Sequence, residues 1–271
     1  MRLIGAGTAV ILVIYLVYAF LLYSIQRSVI FPGKSRSAFK AIINLPANTN
    51  QVWLDCTFGK VEAWFVKSEG DTFPKPVIIH THGNFELIED CLEEAMNYNT
   101  FGVHVFLLEY PGYGRSEGYP SYETITESII SAYDWCANRQ EIDSGKIVAM
   151  GRSLGGGAAC ALTENRPVKA LILQSTFTRA TDFARRFLLP SFLVKDRFDN
   201  RRAVENFNGP LLIFHGKRDE IIPYAHGKEL HRIAQEGKFI DYNCGHNDFP
   251  IFSDLFINEV KDFLTENKLI H

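Results

Sequence analysis

The stretch Ile147-Val148-Ala149-Met150-Gly151-Arg152-Ser153-Leu154-Gly155-Gly156-Gly157 decides the fold. Its first four residues are a short apolar run that suits a strand buried on both faces. Residues 154–164 read as a helix, so Gly151-Arg152-Ser153-Leu154-Gly155 is a GxSxG pattern set in a strand-to-helix turn, the context that gives it a mechanism. The turn must be so tight that side chains two before and two after the serine would collide with strand or helix. Glycine therefore fits at Gly151 and Gly155, and Ser153 is expected in a strained backbone with its hydroxyl outward. The pattern arises by chance in about one chain in ten of this length, so its partners must be found elsewhere. A phosphate-cradling loop at Gly155-Gly156-Gly157 is the competing interpretation, and it lacks the lysine of a GKS or GKT motif.

Outward from this turn, strand-like and helix-like stretches alternate. Residues 52–56 and 61–66 are β-rich and flank Thr57-Phe58-Gly59-Lys60, which predicts an antiparallel hairpin. Apolar runs follow at 77–80, 103–108, 168–173 and 211–215, with a last strand expected at 237–242. Helix-like stretches lie at 86–98, 122–138, 224–235 and 249–267. This order predicts an α/β chain folded as a three-layer sandwich with a mostly parallel sheet.

A serine nucleophile needs a base, and the base needs an orienting carboxylate. His215-Gly216-Lys217-Arg218-Asp219 and Cys244-Gly245-His246-Asn247-Asp248 each follow an expected strand. The chain order Ser153, Asp219, His246 suggests that Asp219 accepts the Nδ1–H hydrogen bond of His246 and stabilises the imidazolium, while His246 Nε2 takes the Ser153 proton. Glu220 and Asp248 are alternative acids, and Asp219 could instead cap the following helix. His80, His104, His226, His231 and His271 have no comparable setting, and His215, before Gly216 at a strand end, is expected to be a packing residue. The loop Thr81-His82-Gly83-Asn84 ends a buried strand, so the N–H groups of Asn84 and Leu154 are the candidate oxyanion donors. His82 is expected to shape that loop.

Composition narrows the class. The 271 residues are 46% hydrophobic and 22% charged, which suits a globular core. Lys and Arg number 28 against 31 Asp and Glu, a formal net charge of −3, which argues against a phosphate-tracking nucleic-acid binder. The five cysteines are scattered, with no CxxC, so a disulfide scaffold, structural zinc or other metal site is not expected, and no cofactor is called for. Residues 3–25 carry no charge and would make a helix of about 34 Å, enough to cross a bilayer. The bulky run from Tyr15 to Tyr23 favours an uncleaved anchor over a signal peptide. Arg27, Lys34, Arg36 and Lys40 against Arg2 place the bulk of the chain on the cytosolic side by the positive-inside rule. Tyr15, Tyr18 and Tyr23 need no special role in such an anchor. The expected organisation is an anchor over 1–27, a juxtamembrane segment over 28–51 and one catalytic domain over 52–271.

Taken in order, His82-Gly83-Asn84, the run Glu109-Tyr110-Pro111-Gly112-Tyr113-Gly114-Arg115-Ser116-Glu117-Gly118, the GxSxG turn, His215-Gly216-x-x-Asp219 and Gly245-His246-Asn247-Asp248 resemble the α/β-hydrolase superfamily. More narrowly, the chain is similar to the membrane-anchored abhydrolase-domain group, which includes protein depalmitoylases. The resemblance implies an α/β-hydrolase sandwich with a short cap over about 176–208. Glu109 departs from the aspartate common in the family, at a loop-shaping position. The cap holds Phe183, Phe187-Leu188-Leu189-Pro190 and Phe192-Leu193-Val194 beside Arg179, Arg185 and Arg186, which suits a bilayer-facing helix, an acyl groove or plain packing on the core. The expected activity is hydrolysis of an acyl ester or thioester, on a lipid or lipidated protein, through an acyl-enzyme. A serine peptidase and a non-catalytic membrane scaffold are the alternatives. The oligomeric state is not legible.

Overall fold

The computed structural model describes residues 2–38, 44–70 and 74–270. Lys40 and His271, named above, lie outside the described residues, as do the side chains of Arg2 and Lys34. Helix α1 (Arg2–Ile30) leads into a 3-10 turn, Pro32–Ala38. Strands β1 (Thr49–Cys56) and β2 (Gly59–Val66) form the expected antiparallel hairpin. The chain continues through β3 (Lys75–Thr81), α2 (Leu92–Asn99), β4 (His104–Leu108), α3 (Tyr122–Ala137), β5 (Ile142–Arg152) and α4 (Leu154–Thr163). It ends with β6 (Ala170–Gln174), α5 (Asn200–Asn206), β7 (Leu211–Gly216), α6 (Ala225–Ile233), β8 (Gly237–Tyr242) and α7 (Asp254–Glu266).

The eight strands form one sheet in the order β1-β2-β4-β3-β5-β6-β7-β8, antiparallel through β1, β2 and β4 and parallel from β4 to β8. The central runs face apolar material on both sides because successive residues point to opposite faces. Val77, Ile79, Leu171 and Leu173 join a core with Ile125, Ile129, Leu162 and Leu230 of α3, α4 and α6. Ile78, Ile172, Leu212 and Phe214 join the opposite core with Tyr98, Phe256 and Val260 of α2 and α7. This is the three-layer α/β sandwich. The strand order reverses between β3 and β5, and such a switch point opens a crevice outside the carboxyl ends of the strands. Thr81 and Arg152 end those two strands, so the crevice lies beside His82-Gly83-Asn84 and Ser153.

Two helices start later than the apolar pattern suggests. Residues 88–91 form a 3-10 turn before α2, with the Leu87 N–H donating to Asp90 Oδ2 at 2.9 Å. Phe249 and Ile251 are buried core residues, but the chain there is a loop containing Pro250. The helix begins only where Ser253 Oγ accepts the Phe256 N–H at 3.2 Å.

His104, fully buried in β4, accepts a hydrogen bond at Nδ1 from the Ser68 N–H at 3.1 Å. Burial pushes its pKa down from the ordinary value of about 6.5 to about 4. The unfolded chain binds a proton in that interval and the folded one does not, so this residue lowers stability as pH falls from about 6.5 to about 4, by at most about 1.4 kcal/mol per pH unit. Thermal melts across that range should therefore show a shallower fall in Tm for His104→Gln than for wild type. An equally steep fall in both would contradict this assignment.

Candidate active site

Ser153 sits at the β5–α4 junction with φ 54° and ψ −115°, a conformation that costs a non-glycine residue about 1–3 kcal/mol. Its surroundings hold it there. Its N–H donates to Gln174 O at 2.9 Å, and its carbonyl accepts from Thr176 Oγ1 at 2.7 Å and from the Gly156 N–H at 3.1 Å. The flanking glycines are required by close approach. A Cβ on Gly151 would lie 2.2 Å from Gly155 O, and one on Gly155 would lie 2.1 Å from Thr81 O. Both obstacles are backbone.

His246 lies in the loop after β8 with Nε2 3.1 Å from Ser153 Oγ. Its Nδ1 is 2.7 Å from Asp219 Oδ2 in the loop after β7. The other Asp219 oxygen accepts the N–H groups of Ile221 at 3.0 Å and Ile222 at 2.7 Å. Burial alone would push the Asp219 carboxyl up, but the hydrogen bond and charge of His246, with the Ile222 N–H, hold it below the usual carboxylate value. Of the two alternative acids, Asp248 accepts the Gly245 N–H at 2.6 Å and so closes its own loop, and Glu220 has an oxygen beside Gly245. The two loops are stitched together. Arg218 N–H donates to Cys244 O at 2.9 Å, and a Cβ on Gly216 would meet Cys244 O at 2.6 Å.

Of the candidate oxyanion donors, Asn84 lines a cleft with this serine and Leu154 is the residue after it. Leu154 opens α4, where first-turn N–H groups have no acceptor within the helix. The peptide carrying the Asn84 N–H also carries Gly83 O, 2.8 Å from His82 Nδ1. His82 Nε2 is 2.8 Å from Glu109 Oε1, and both side chains are buried. Glu109 thus holds the ring that holds this peptide plane, which accounts for His82 as a loop-shaping residue. The next peptide is fixed as well, since Asn84 O accepts from the Gly33 N–H at 3.1 Å and from Tyr113 Oη at 2.7 Å.

A cleft of about 290 Å³ opens over Ser153 and His246, lined also by Asn84, Phe85, Glu86, Arg152, Ile221 and Asn247. Glu86 and Arg152 were not singled out from the sequence. They form an ion pair in which Arg152 Nε donates to Glu86 Oε2 at 3.1 Å, while the same oxygen accepts the Gly83 N–H at 2.6 Å. The pair ties the variable position of GxSxG to the loop that carries the candidate donor Asn84. The available signal was a charged residue inside the turn motif and an acid three residues after Gly83. Tyr15 and Tyr18, given no role above, donate from Oη to Leu188 O at 3.0 Å and Phe187 O at 2.9 Å, between β6 and α5. No cluster of three or more His, Cys, Asp or Glu positioned for a metal ion occurs among the described residues.

Residues 76–206 match the family model for the alpha/beta hydrolase fold. The alpha/beta hydrolase domain-containing protein WAV2 of Arabidopsis thaliana is 33% identical over 242 residues, 79% of this chain and 77% of that protein. The chain belongs to the α/β-hydrolase superfamily. Within this superfamily it is also similar to protein bem46 of Schizosaccharomyces pombe, 26% identical over 267 residues, 92% of this chain and 88% of that one. Among solved structures, Est1E from Butyrivibrio proteoclasticus superposes with a TM-score of 0.68 at 19% identity, covering 80% of this chain and 98% of that one. Esterase 2 of Thermogutta terrifontis has a TM-score of 0.68 at 14% identity, covering 85% and 98%. At these identities the likeness is one of fold.

For this α/β-hydrolase the glycine contacts lead to a direct expectation. Gly155→Ala drives a methyl against the Thr81 backbone and should lower stability by about 1–3 kcal/mol or more, read as a fall in Tm by denaturation. Unchanged Tm would mean that the β3–α4 approach is looser than described.

Proposed function

We propose that this α/β-hydrolase is a membrane-anchored serine hydrolase of carboxylic esters or thioesters. The observation that carries the proposal is the continuous line from Asp219 Oδ2 to His246 Nδ1 at 2.7 Å and from His246 Nε2 to Ser153 Oγ at 3.1 Å. In this mechanism Ser153 Oγ attacks the acyl carbon as His246 Nε2 takes its proton, while Asp219 orients the ring and stabilises the imidazolium. The N–H groups of Asn84 and Leu154 receive the developing oxyanion. Collapse expels the alcohol or thiol, protonated by His246, and leaves an acyl ester on Ser153 Oγ. A water deprotonated by His246 then releases the acid and restores the serine. Esterases of Thermogutta terrifontis and Pyrococcus furiosus share the fold, which supports ester bonds as the substrate class.

Helix α1 supports the anchor. Its 24 residues from Gly7 to Ile30 are apolar enough to cross a membrane and would extend about 36 Å. Positive flanking residues favour the catalytic domain on the cytosolic side. Arg36 belongs to that flank and Arg27 to the last turn of the helix, although each also pairs with an acid of the domain, Asp90 and Asp196. An anchored enzyme meets lipid-borne esters and thioesters at high local concentration, which favours lipids or lipidated proteins as substrates.

Hydrolysis of p-nitrophenyl butyrate by the full-length protein tests the proposal. Ser153→Ala should lower kcat by about 10³-fold or more, and Asp219→Asn by about 10⁴-fold. Activity should be lost as pH falls, because the base must be unprotonated. Asp219, held below the usual carboxylate range, stays ionised through that window, so the acid limb should have unit slope. A slope of two, or full activity in Ser153→Ala, would contradict the mechanism. Faster turnover of a matched amide than of the ester would favour peptidase chemistry.

A further inference from the structure

Between α1 and the cap lies a cavity of about 160 Å³. Leu22, Ile25 and Val29 wall it on the helix side, and Phe183, Phe187 and Leu193 on the cap side. Its one polar neighbour, Gln26, is already committed. Gln26 Nε2 donates to Tyr23 O and Leu193 O, each at 3.1 Å, and its Oε1 accepts the Lys195 N–H at 2.8 Å. Water entering such a space finds no partners, whereas an apolar cavity of about 150 Å³ takes a hydrocarbon of benzene size.

Two features indicate what fills it. One hydrogen bond links the cavity wall to the serine cleft: Ile30 lines the cavity and its carbonyl accepts from Asn84 Nδ2 at 3.0 Å, while Asn84 lines the cleft with Ser153. The cavity is also placed to meet lipid. The cap tip is bonded to Tyr15 and Tyr18, and eight residues separate Tyr18 from Gln26, about 12 Å along the helix. If α1 spans the bilayer over these residues, the cap tip enters the near leaflet with it. Its side chains suit that position, with Phe187 49%, Leu188 77% and Phe192 70% exposed. These are large apolar groups that water would not favour.

We propose that this cavity is the acyl-chain site of the enzyme. It takes the hydrocarbon chain of an ester drawn sideways from the leaflet, and the ester group reaches Ser153 across the Ile30–Asn84 seam. The proposal rests on the serine hydrolase reading and adds to it a long-chain acyl substrate and its route of entry.

The test uses the full-length protein in phosphatidylcholine nanodiscs with p-nitrophenyl acetate and p-nitrophenyl dodecanoate. Wild type should show higher kcat/KM for the dodecanoate. Val29→Trp and Ile25→Trp, which fill the cavity from the helix side, should each lower the dodecanoate-to-acetate ratio about tenfold, since a single methylene in an apolar pocket is worth about that much. Ile14→Trp, on a part of α1 that does not line the cavity, should leave the ratio where it was. An unchanged ratio in both filling variants, or a wild type that does not prefer the longer ester, overturns the acyl site while leaving the Ser153 chemistry standing. Failure of wild type to turn over either ester overturns both.

Discussion

The backbone of Ser153 is the constraint on which the rest of the site depends. A serine at φ 54° is unfavourable in isolation, so neighbouring structure must hold it. Here β5 delivers the chain, α4 departs at once, and Gly151 and Gly155 permit the helix to lie against both β5 and the end of β3. Thr81 Oγ1 closes that contact by donating to Met150 O at 3.1 Å and Gly155 O at 2.9 Å. The strain thus keeps the hydroxyl at the carboxyl edge of the sheet, where the loops after β7 and β8 bring Asp219 and His246 to it.

Much of this was legible in the sequence because its physical signals are local. Strands buried on both faces appear as unbroken apolar runs, and a tight strand-to-helix turn leaves glycines at fixed offsets. Asp219 could be proposed because it follows such a run within a few residues, and His246 because it follows a strand-like stretch, β8, of mixed polarity and mostly half-buried residues. The signals that failed to register are contacts between distant residues. Glu86 and Arg152 are 66 positions apart, and nothing in either neighbourhood announces that they meet. Helix starts also misled, since Phe249 and Ile251 supply core from a loop and so imitate the first turn of a helix.

The N-terminal helix bears on the site more closely than an anchor on a tether would. Arg27 donates from Nε and Nη2 to the buried Asp196, each at 3.0 Å, and Asp196 in turn accepts the Tyr122 N–H at the start of α3. Ile30 and Gly33 hydrogen-bond the side chain and carbonyl of Asn84. A Cβ on Gly33 would meet the Tyr113 ring at 2.2 Å and Asn84 O at 2.9 Å, so the chain leaving α1 packs closely on the loop of the candidate donor Asn84. Helix α1, the Phe187–Leu188 segment and the candidate oxyanion donor Asn84 are therefore mechanically linked through one short stretch of chain.

The central claim is that Ser153 is made nucleophilic by His246, and locating a fluorophosphonate adduct by mass spectrometry tests it most directly. On the full-length protein in membranes the account predicts an adduct on the peptide containing Ser153, lost in His246→Ala while Tm is retained. An adduct on another residue, or undiminished labelling in His246→Ala, would contradict it.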